Sequence, residues 1–278
     1  MKPSPTPPGG PEFPQSPQPP GAPPYVRGHG LLRGRVAVVT AAAGTGIGGA
    51  CARRLLEEGA RVVVSDAHER RLAETLAELE KEFGAGAVTA VPCDVTSEEQ
   101  VRALFAAAEE RLGPVDVLVN NAGLGGTARL VEMTDEQWNR VLDVTLTGTM
   151  RCTRAALALM QPRGRGVVVN NASVVGWRAQ EGQAHYAAAK AGVMALTRCA
   201  AVEAAPYGVR VNAVAPSLAM HANLVRVTTE ELLAELTARE ALGRAAEPWE
   251  VANVIVFLAS DYSSYLTGEV VSVSSQHP

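Results

Sequence analysis

The 278-residue sequence is short of several things. It has only four cysteines, Cys51, Cys93, Cys152 and Cys199, and no C-x-x-C pair. Scattered thiols argue against a disulfide scaffold and read as reduced and buried in a reducing compartment. No metal site is expected. No apolar run reaches the length of a transmembrane helix. The N-terminus lacks the apolar core of a secretory signal, so a cytoplasmic location without membrane attachment is expected. There is no basic excess either. Lys and Arg number 25 against 29 Asp and Glu, a net charge of −4, which argues against a nucleic-acid partner. What is present is ordinary globular composition, 47% hydrophobic and 19% charged, long enough for a full core.

The chain divides by texture. Residues 1–30, with "MKPSPTPPGGPEFPQSPQPPGAPP", are rich in proline, glycine and polar groups. They cannot bury a core and are expected to form a disordered tail. From Leu31 onward, short apolar runs alternate with amphipathic stretches: "RVAVVT", "RVVVSD", "AVTAVPCD", "PVDVLVNNAG", "GVVVNNAS", "VRVNAVAPS" and "GEVVSVS" read as strands with helices between them. Strands this uniformly apolar are buried on both faces. The expected fold is one α/β domain over residues 31–278, a doubly wound parallel sheet with helices on both sides.

Between the first strand and first helix lies "TAAAGTGIGG". Gly44, Gly46 and Gly49 fit G-x-G-x-x-G at the place where a helix N-terminus receives a pyrophosphate. About 20 residues on, Asp66 ends "VVVSD", where a carboxylate accepts bonds from ribose hydroxyls and repels a 2′-phosphate. That favours NAD, with NADP kept open by Arg70 and Arg71. The competing reading makes Asp66 a helix cap paired with Glu69.

The stretch "HYAAAKAGVMALTR" sets Tyr186 and Lys190 four residues apart, on one face if helical. A nearby ammonium favours an ionised phenol. Bringing a phenol from about 10 to neutrality takes roughly 4 kcal/mol, which one ammonium supplies in part. On this pair alone the plainer reading is preferred, a tyrosine that packs and a lysine that is solvated, because Y-x-x-x-K is common by chance.

Taken together, these motifs make the sequence resemble the short-chain dehydrogenase/reductase family over residues 31–278. The resemblance implies a Rossmann-like fold and a nicotinamide cofactor. In that family the turn reads T-G-x-x-x-G-I-G. Here Thr40, Gly46, Ile47 and Gly48 match, Ala41 replaces the first glycine, and the turn is one residue longer. The resemblance assigns Asp94 and Val95 to the border of the adenine. It assigns Asn121, Ala122 and Gly123 of N-N-A-G, and Pro216, Ser217 and Leu218 after a later strand, to the cofactor site, with Gly44 in the turn. Ser173 stands 13 residues before Tyr186, as the family's serine does. It implies that Ser173 bonds the substrate oxygen and that Tyr186 exchanges a proton with it. Lys190 would hold the nicotinamide ribose and depress the tyrosine pKa. Homotetramers are common in the family and are expected here.

The sequence also departs from the pattern. Thr145 in "VTLTG" stands where the family has its fourth catalytic residue, an asparagine, so its support of a relay water is open. Ser217 and His221 replace a glycine and a threonine in "PSLAMH". The stretches "NNASVVGWRAQ", "VTLTGTM", "GRAAEPWEVA" and "SSYLTGEVVSVSSQ" resemble a bacterial steroid-degradation branch that acts on fused-ring hydroxy-indene carboxyl-CoA thioesters. That branch interconverts a ring hydroxyl and a ketone. Trp177, Arg178 and His221 are the candidate contacts to such a small-molecule substrate, with Arg129 and His185 as further candidates. Trp138 and Trp249 read as core or interface. The alternatives are a 3-oxoacyl-thioester reductase of fatty-acid type and a non-catalytic dinucleotide-binding regulator.

Overall fold

A computed structural model describes residues 21, 23–220 and 229–275. Seven strands form one sheet: β1 (Val36–Val39), β2 (Arg61–Asp66), β3 (Val88–Pro92), β4 (Val117–Asn120), β5 (Gly166–Asn171), β6 (Val209–Pro216) and β7 (Val270–Val273). The order is β3-β2-β1-β4-β5-β6-β7 and every pairing is parallel. The helices are α1 (Ile47–Glu57), α2 (Glu69–Phe83), α3 (Glu98–Leu112), α4 (Asp135–Leu142), α5 (Gly148–Met160), α6 (Ala184–Ala204), α7 (Glu230–Ala238) and α8 (Pro248–Ala259).

The strand side chains alternate between two cores. Ala37, Val39, Val62, Val64, Val117 and Val119 pack with Leu55 of α1, Leu72 of α2 and Ile255 of α8. Val36, Val38, Val63 and Leu118 pack with Leu104 of α3, Cys152 of α5 and Ala200 of α6. Burial on both faces is why the strands carry no polar alternation. The chain winds outward from β1 to β3, then returns to place β4 on the other side of β1. The crevice beyond the carboxyl ends of β1 and β4 is therefore a topological switch point, the place where such sheets bind ligands.

Residues 25–30, grouped with the tail on composition, make specific contacts with α1 and α8. The Tyr25 hydroxyl donates to the Glu57 carboxylate at 2.9 Å, and its ring meets Trp249 edge-on at 5.2 Å. The backbone N–H groups of His29 and Leu31 donate to Glu58 Oε2 at 2.8 and 3.0 Å, and Glu58 is paired in the interior with Arg54. Among the described residues no helix is long and apolar enough to cross a membrane.

Candidate active site

The turn after β1 begins with Thr40, which is buried. Its hydroxyl accepts the N–H groups of Asn121 and Ala122, both at 3.0 Å, so Thr40 joins the ends of β1 and β4. Asn121 answers through its carboxamide, donating to the carbonyls of Thr40 (3.2 Å) and Ala41 (3.0 Å). Ala41, in the family's glycine position, has φ +49° and is the one non-glycine residue with positive φ among those described. Gly48 and Gly49 are needed for close approach. A Cβ on Gly48 would sit 2.2 Å from the Ala41 carbonyl oxygen, and one on Gly49 would sit 1.9 Å from that of Gly44. Among the described residues, the amides of residues 45–49 have no acceptor, and Gly46 caps α1 without a side-chain bond. Unpaired amides at a helix start suit a pyrophosphate. The cleft thus fits a dinucleotide.

Asp66 ends β2 almost fully buried. Its Oδ1 accepts His68 N–H at 2.9 Å, and its Oδ2 accepts Ala43 N–H at 3.3 Å. Arg71 Nη2 lies 3.8 Å from Oδ1. The cap of α2 is His68, with no side-chain bond, so the capping reading of Asp66 is replaced by a turn contact. Asp94 is exposed and accepts from Thr96 N–H and Oγ1 at 2.9 and 2.8 Å. Val95 is buried against Gly148, whose hypothetical Cβ would lie 2.6 Å from Val95 Cγ2.

Three elements bring the reactive groups together. Ser173 follows β5, 8% exposed, and hydrogen-bonds the Tyr186 side chain from α6. Its Oγ also accepts Val175 N–H at 3.3 Å, starting the 3-10 turn Val174–Gly176. One helical turn beyond Tyr186, the Lys190 ammonium lies 5.5 Å from the Tyr186 ring centroid and donates to the Asn171 carbonyl. Gly123 stands between Lys190 and Thr145: a Cβ there would be 3.4 Å from Lys190 Nζ and 3.8 Å from Thr145 Oγ1.

Burial moves both titrating groups toward their neutral forms. It pushes the Tyr186 phenol up to about 12, against a smaller lowering by the Ser173 bond. It brings the Lys190 ammonium down to about 8. The expected depression of the tyrosine by Lys190 is therefore not met among the protein's own groups. The ammonium approaches the ring rather than pairing with the hydroxyl, and desolvation dominates.

Thr145 lies fully buried in a π-helical turn, Asp143–Thr147, between α4 and α5. Its hydroxyl accepts Leu124 N–H at 3.0 Å and donates to the Leu124 carbonyl at 3.2 Å, while its own carbonyl accepts the Thr149 hydroxyl at 2.8 Å. The hydroxyl's proton is thus engaged in a clamp on the loop after β4. Thr145→Val keeps the shape and leaves two backbone groups of Leu124 unpaired. Each costs roughly 1–3 kcal/mol. The variant should lose several degrees of Tm and about ten-fold in kcat/KM, whereas a relay role alone would lower activity at unchanged Tm.

Pro216 ends β6 in the interior; Ser217 N–H bonds the Val273 carbonyl at 3.2 Å, and Leu218 N–H bonds Glu240 Oε1 at 3.3 Å. Trp177, 43% exposed, follows the serine turn, and Arg178 N–H bonds the Val174 carbonyl at 3.1 Å. His221 lies outside the described residues. Arg129 pairs at the surface with Glu181 at 3.7 Å. His185 is buried, and its Nδ1 accepts Tyr186 N–H at 2.9 Å, a positional role.

Sequence reasoning missed Asn171. Its carbonyl holds Lys190, its Nδ2 donates to Asn121 Oδ1 at 2.9 Å, and its Oδ1 is buried with no partner among the described residues. Asn170, also missed, links Asn120 and Thr197 through bonds of 2.8 and 2.9 Å. The signal was the polar pair closing an otherwise apolar strand.

A family model described as enoyl-(acyl carrier protein) reductase matches residues 41–275. A crystal structure of a short chain dehydrogenase from Mycobacterium smegmatis superposes with a TM-score of 0.82 at 61% identity, covering 93% of this chain and 99% of that one. The chain is a short-chain dehydrogenase/reductase. As a member of that family it is an oxidoreductase served by a nicotinamide dinucleotide. It is 66% identical over 258 residues to the Mycobacterium tuberculosis protein named (5R,7aS)-5-hydroxy-7a-methyl-1-oxo-2,3,5,6,7,7a-hexahydro-1H-indene-carboxyl-CoA reductase, covering 92% of this chain and 98% of the relative. It is 45% identical over 240 residues to cis-4-hydroxycyclohexanecarboxylate dehydrogenase of Sinomonas cyclohexanicum, covering 86% and 94%.

Proposed function

We propose that this short-chain dehydrogenase/reductase interconverts a ring secondary alcohol and its ketone on a hydroxy-indene carboxyl-CoA thioester in steroid breakdown, with NAD(H) preferred. The observation that carries the reading is the meeting of Ser173, Tyr186 and Lys190 beside Gly123, in a chain 66% identical to a reductase of that name. Residues 45–49 would hold the pyrophosphate, Asp66 the adenosine ribose, and Lys190 the nicotinamide ribose. Bound nicotinamide supplies or accepts the hydride. Ser173 orients the substrate oxygen by hydrogen bonding. Tyr186 moves a proton at that oxygen as general acid or base. The phenol is protonated at neutral pH, the form that donates to a ketone oxygen, and the burial that pushes it up to about 12 makes it a weaker acid than a free phenol. Trp177 offers a flat apolar wall, and Arg178 a cationic contact for a carboxylate or the phosphates of the CoA end. Asp66 supports NAD because a 2′-phosphate would meet its carboxylate. A cytoplasmic homotetramer is the assembly we assign.

The test is steady-state turnover of a hydroxy-indene carboxyl-CoA, its free acid and a 3-hydroxyacyl-CoA, each with NAD and NADP. We expect the ring thioester with NAD to exceed the others by at least about ten-fold in kcat/KM, a difference of roughly 1.4 kcal/mol. Turnover of the linear thioester alone would leave the family standing and refute the substrate. A preference for NADP would refute the role given to Asp66.

A further inference from the structure

The turn between β1 and α1 is one residue longer than T-G-x-x-x-G-I-G, and its extra length is tied down away from the cleft. Three successive amides point back at β2 and α2. Ala42 N–H donates to the Ser65 carbonyl at 2.9 Å, Ala43 N–H to Asp66 Oδ2 at 3.3 Å, and Gly44 N–H to Thr75 Oγ1 at 3.0 Å. The next five amides, residues 45–49, have no acceptor among the described residues. The switch from bonded to open amides falls at Gly44, whose φ is +88°.

Thr75 is unusual on its helix. It lies in the middle of α2, 8% exposed, on the same buried stripe as Leu72 and Leu79. A β-branched hydroxyl side chain is a poor choice for a helix interior, and valine would fill the same space without a polar atom to satisfy. The only bond Thr75 makes through its hydroxyl among the described residues is to Gly44. Gly44 itself is exposed, so water can replace that bond at little cost to stability. What water cannot replace is the fixed path of a glycine-containing turn.

We propose that Thr75 is a positioning residue for the dinucleotide. It pins Gly44, so that the lengthened turn presents residues 45–49 as one preformed anion-binding set. Asp66 pins Ala43 in the same way and joins that set to the adenosine ribose contact. Binding then incurs less ordering entropy. The inference rests on the dinucleotide site and not on the identity of the substrate.

The experiment compares the full chain with Thr75→Val and Thr75→Ser. Amide hydrogen exchange without ligand is read over residues 40–50, and NADH and NADPH dissociation constants are read by fluorescence. In Thr75→Val we expect faster exchange confined to the turn, about ten-fold weaker binding of both dinucleotides, and kcat at saturating cofactor within two-fold of wild type. Thr75→Ser should restore exchange and affinity. Equal loss for NADH and NADPH is expected because the turn serves the pyrophosphate that both share. Unchanged exchange with wild-type affinity would overturn the proposal, and so would loss of protection spread across the sheet. Failure of the wild type to bind either dinucleotide would refute the cofactor site, while the exchange data would still decide whether Thr75 pins the turn.

Discussion

Tyr186→Phe is expected to abolish turnover and to leave NADH binding within two-fold of wild type. The substitution removes one oxygen and nothing else. That oxygen is hydrogen-bonded to Ser173, and its ring is fixed on α6 by neighbours that phenylalanine also satisfies. Losing a general acid costs about 10²–10⁴ in rate, so kcat should fall by at least that much. The backbone N–H of residue 186 keeps its bond to His185 Nδ1, so the helix start stays in place. Stability should change by less than about 1 kcal/mol, since the lost bond is a single one. Measured together, kcat, NADH affinity and Tm separate a chemical role from a packing one. Retention of more than a tenth of wild-type kcat would show that proton transfer bypasses Tyr186. Collapse of both Tm and NADH affinity would show that the hydroxyl holds the site together instead.

The parts of this molecule that were legible in its sequence are those governed by local periodicity. The β1, β2 and β5 strands each carry a valine-rich stretch with no polar alternation inside it because both their faces are covered, and a parallel sheet followed from that. Ser173, Tyr186 and Lys190 were legible because their separations are short. Thirteen residues span one strand end and one helix start, and four residues make one helical turn. What stayed hidden depends on contacts across long separations. Asn171 meets Asn121 across 50 residues and Asn121 meets Ala41 across 80. No pattern of period two or 3.6 records such a chain of carboxamides. The π-helical turn at Asp143–Thr147 was hidden for a different reason. The hydrophobic spacing of "WNRVLDVTLTGTM" runs on as if the helix were unbroken, while the bond from Gly148 N–H to the Asp143 carbonyl, five residues back, marks the extra residue. Asp66 illustrates a third limit. D-A-H-E has the form of a capping box, but burial of the carboxylate turns it toward Ala43 and His68 before it can cap.

Lys190→Met should inactivate the enzyme and yet stabilise it at neutral pH. Lys190 is 3% exposed, and burial brings its ammonium from 10.5 to about 8. Between those values the unfolded chain binds more protons than the folded one, so stability rises with pH across the window. Below about pH 8 the whole cost of burying the charge is present, roughly 3 kcal/mol. Its bond to the Asn171 carbonyl offsets about 1 kcal/mol of that. Methionine has a similar unbranched stem and no charge to desolvate. The variant should therefore exceed wild type by about 2 kcal/mol at pH 7, and the gain should shrink as pH approaches 10. Tyr186 does not confuse the measurement. Its raised pKa makes stability fall only as pH climbs from 10 through about 12, above the range needed. Chemical denaturation at pH 7, 8.5 and 9.5 gives the slope, and kcat at pH 7 should drop by at least about 10². A variant less stable than wild type at every pH, with no slope, would mean that the Asn171 carbonyl and the Tyr186 ring fully compensate the ammonium. Lys190 would then be a structural anchor as much as the cofactor contact proposed for it. A gain that fades on schedule would mean that the fold tolerates a buried charge because turnover requires it there.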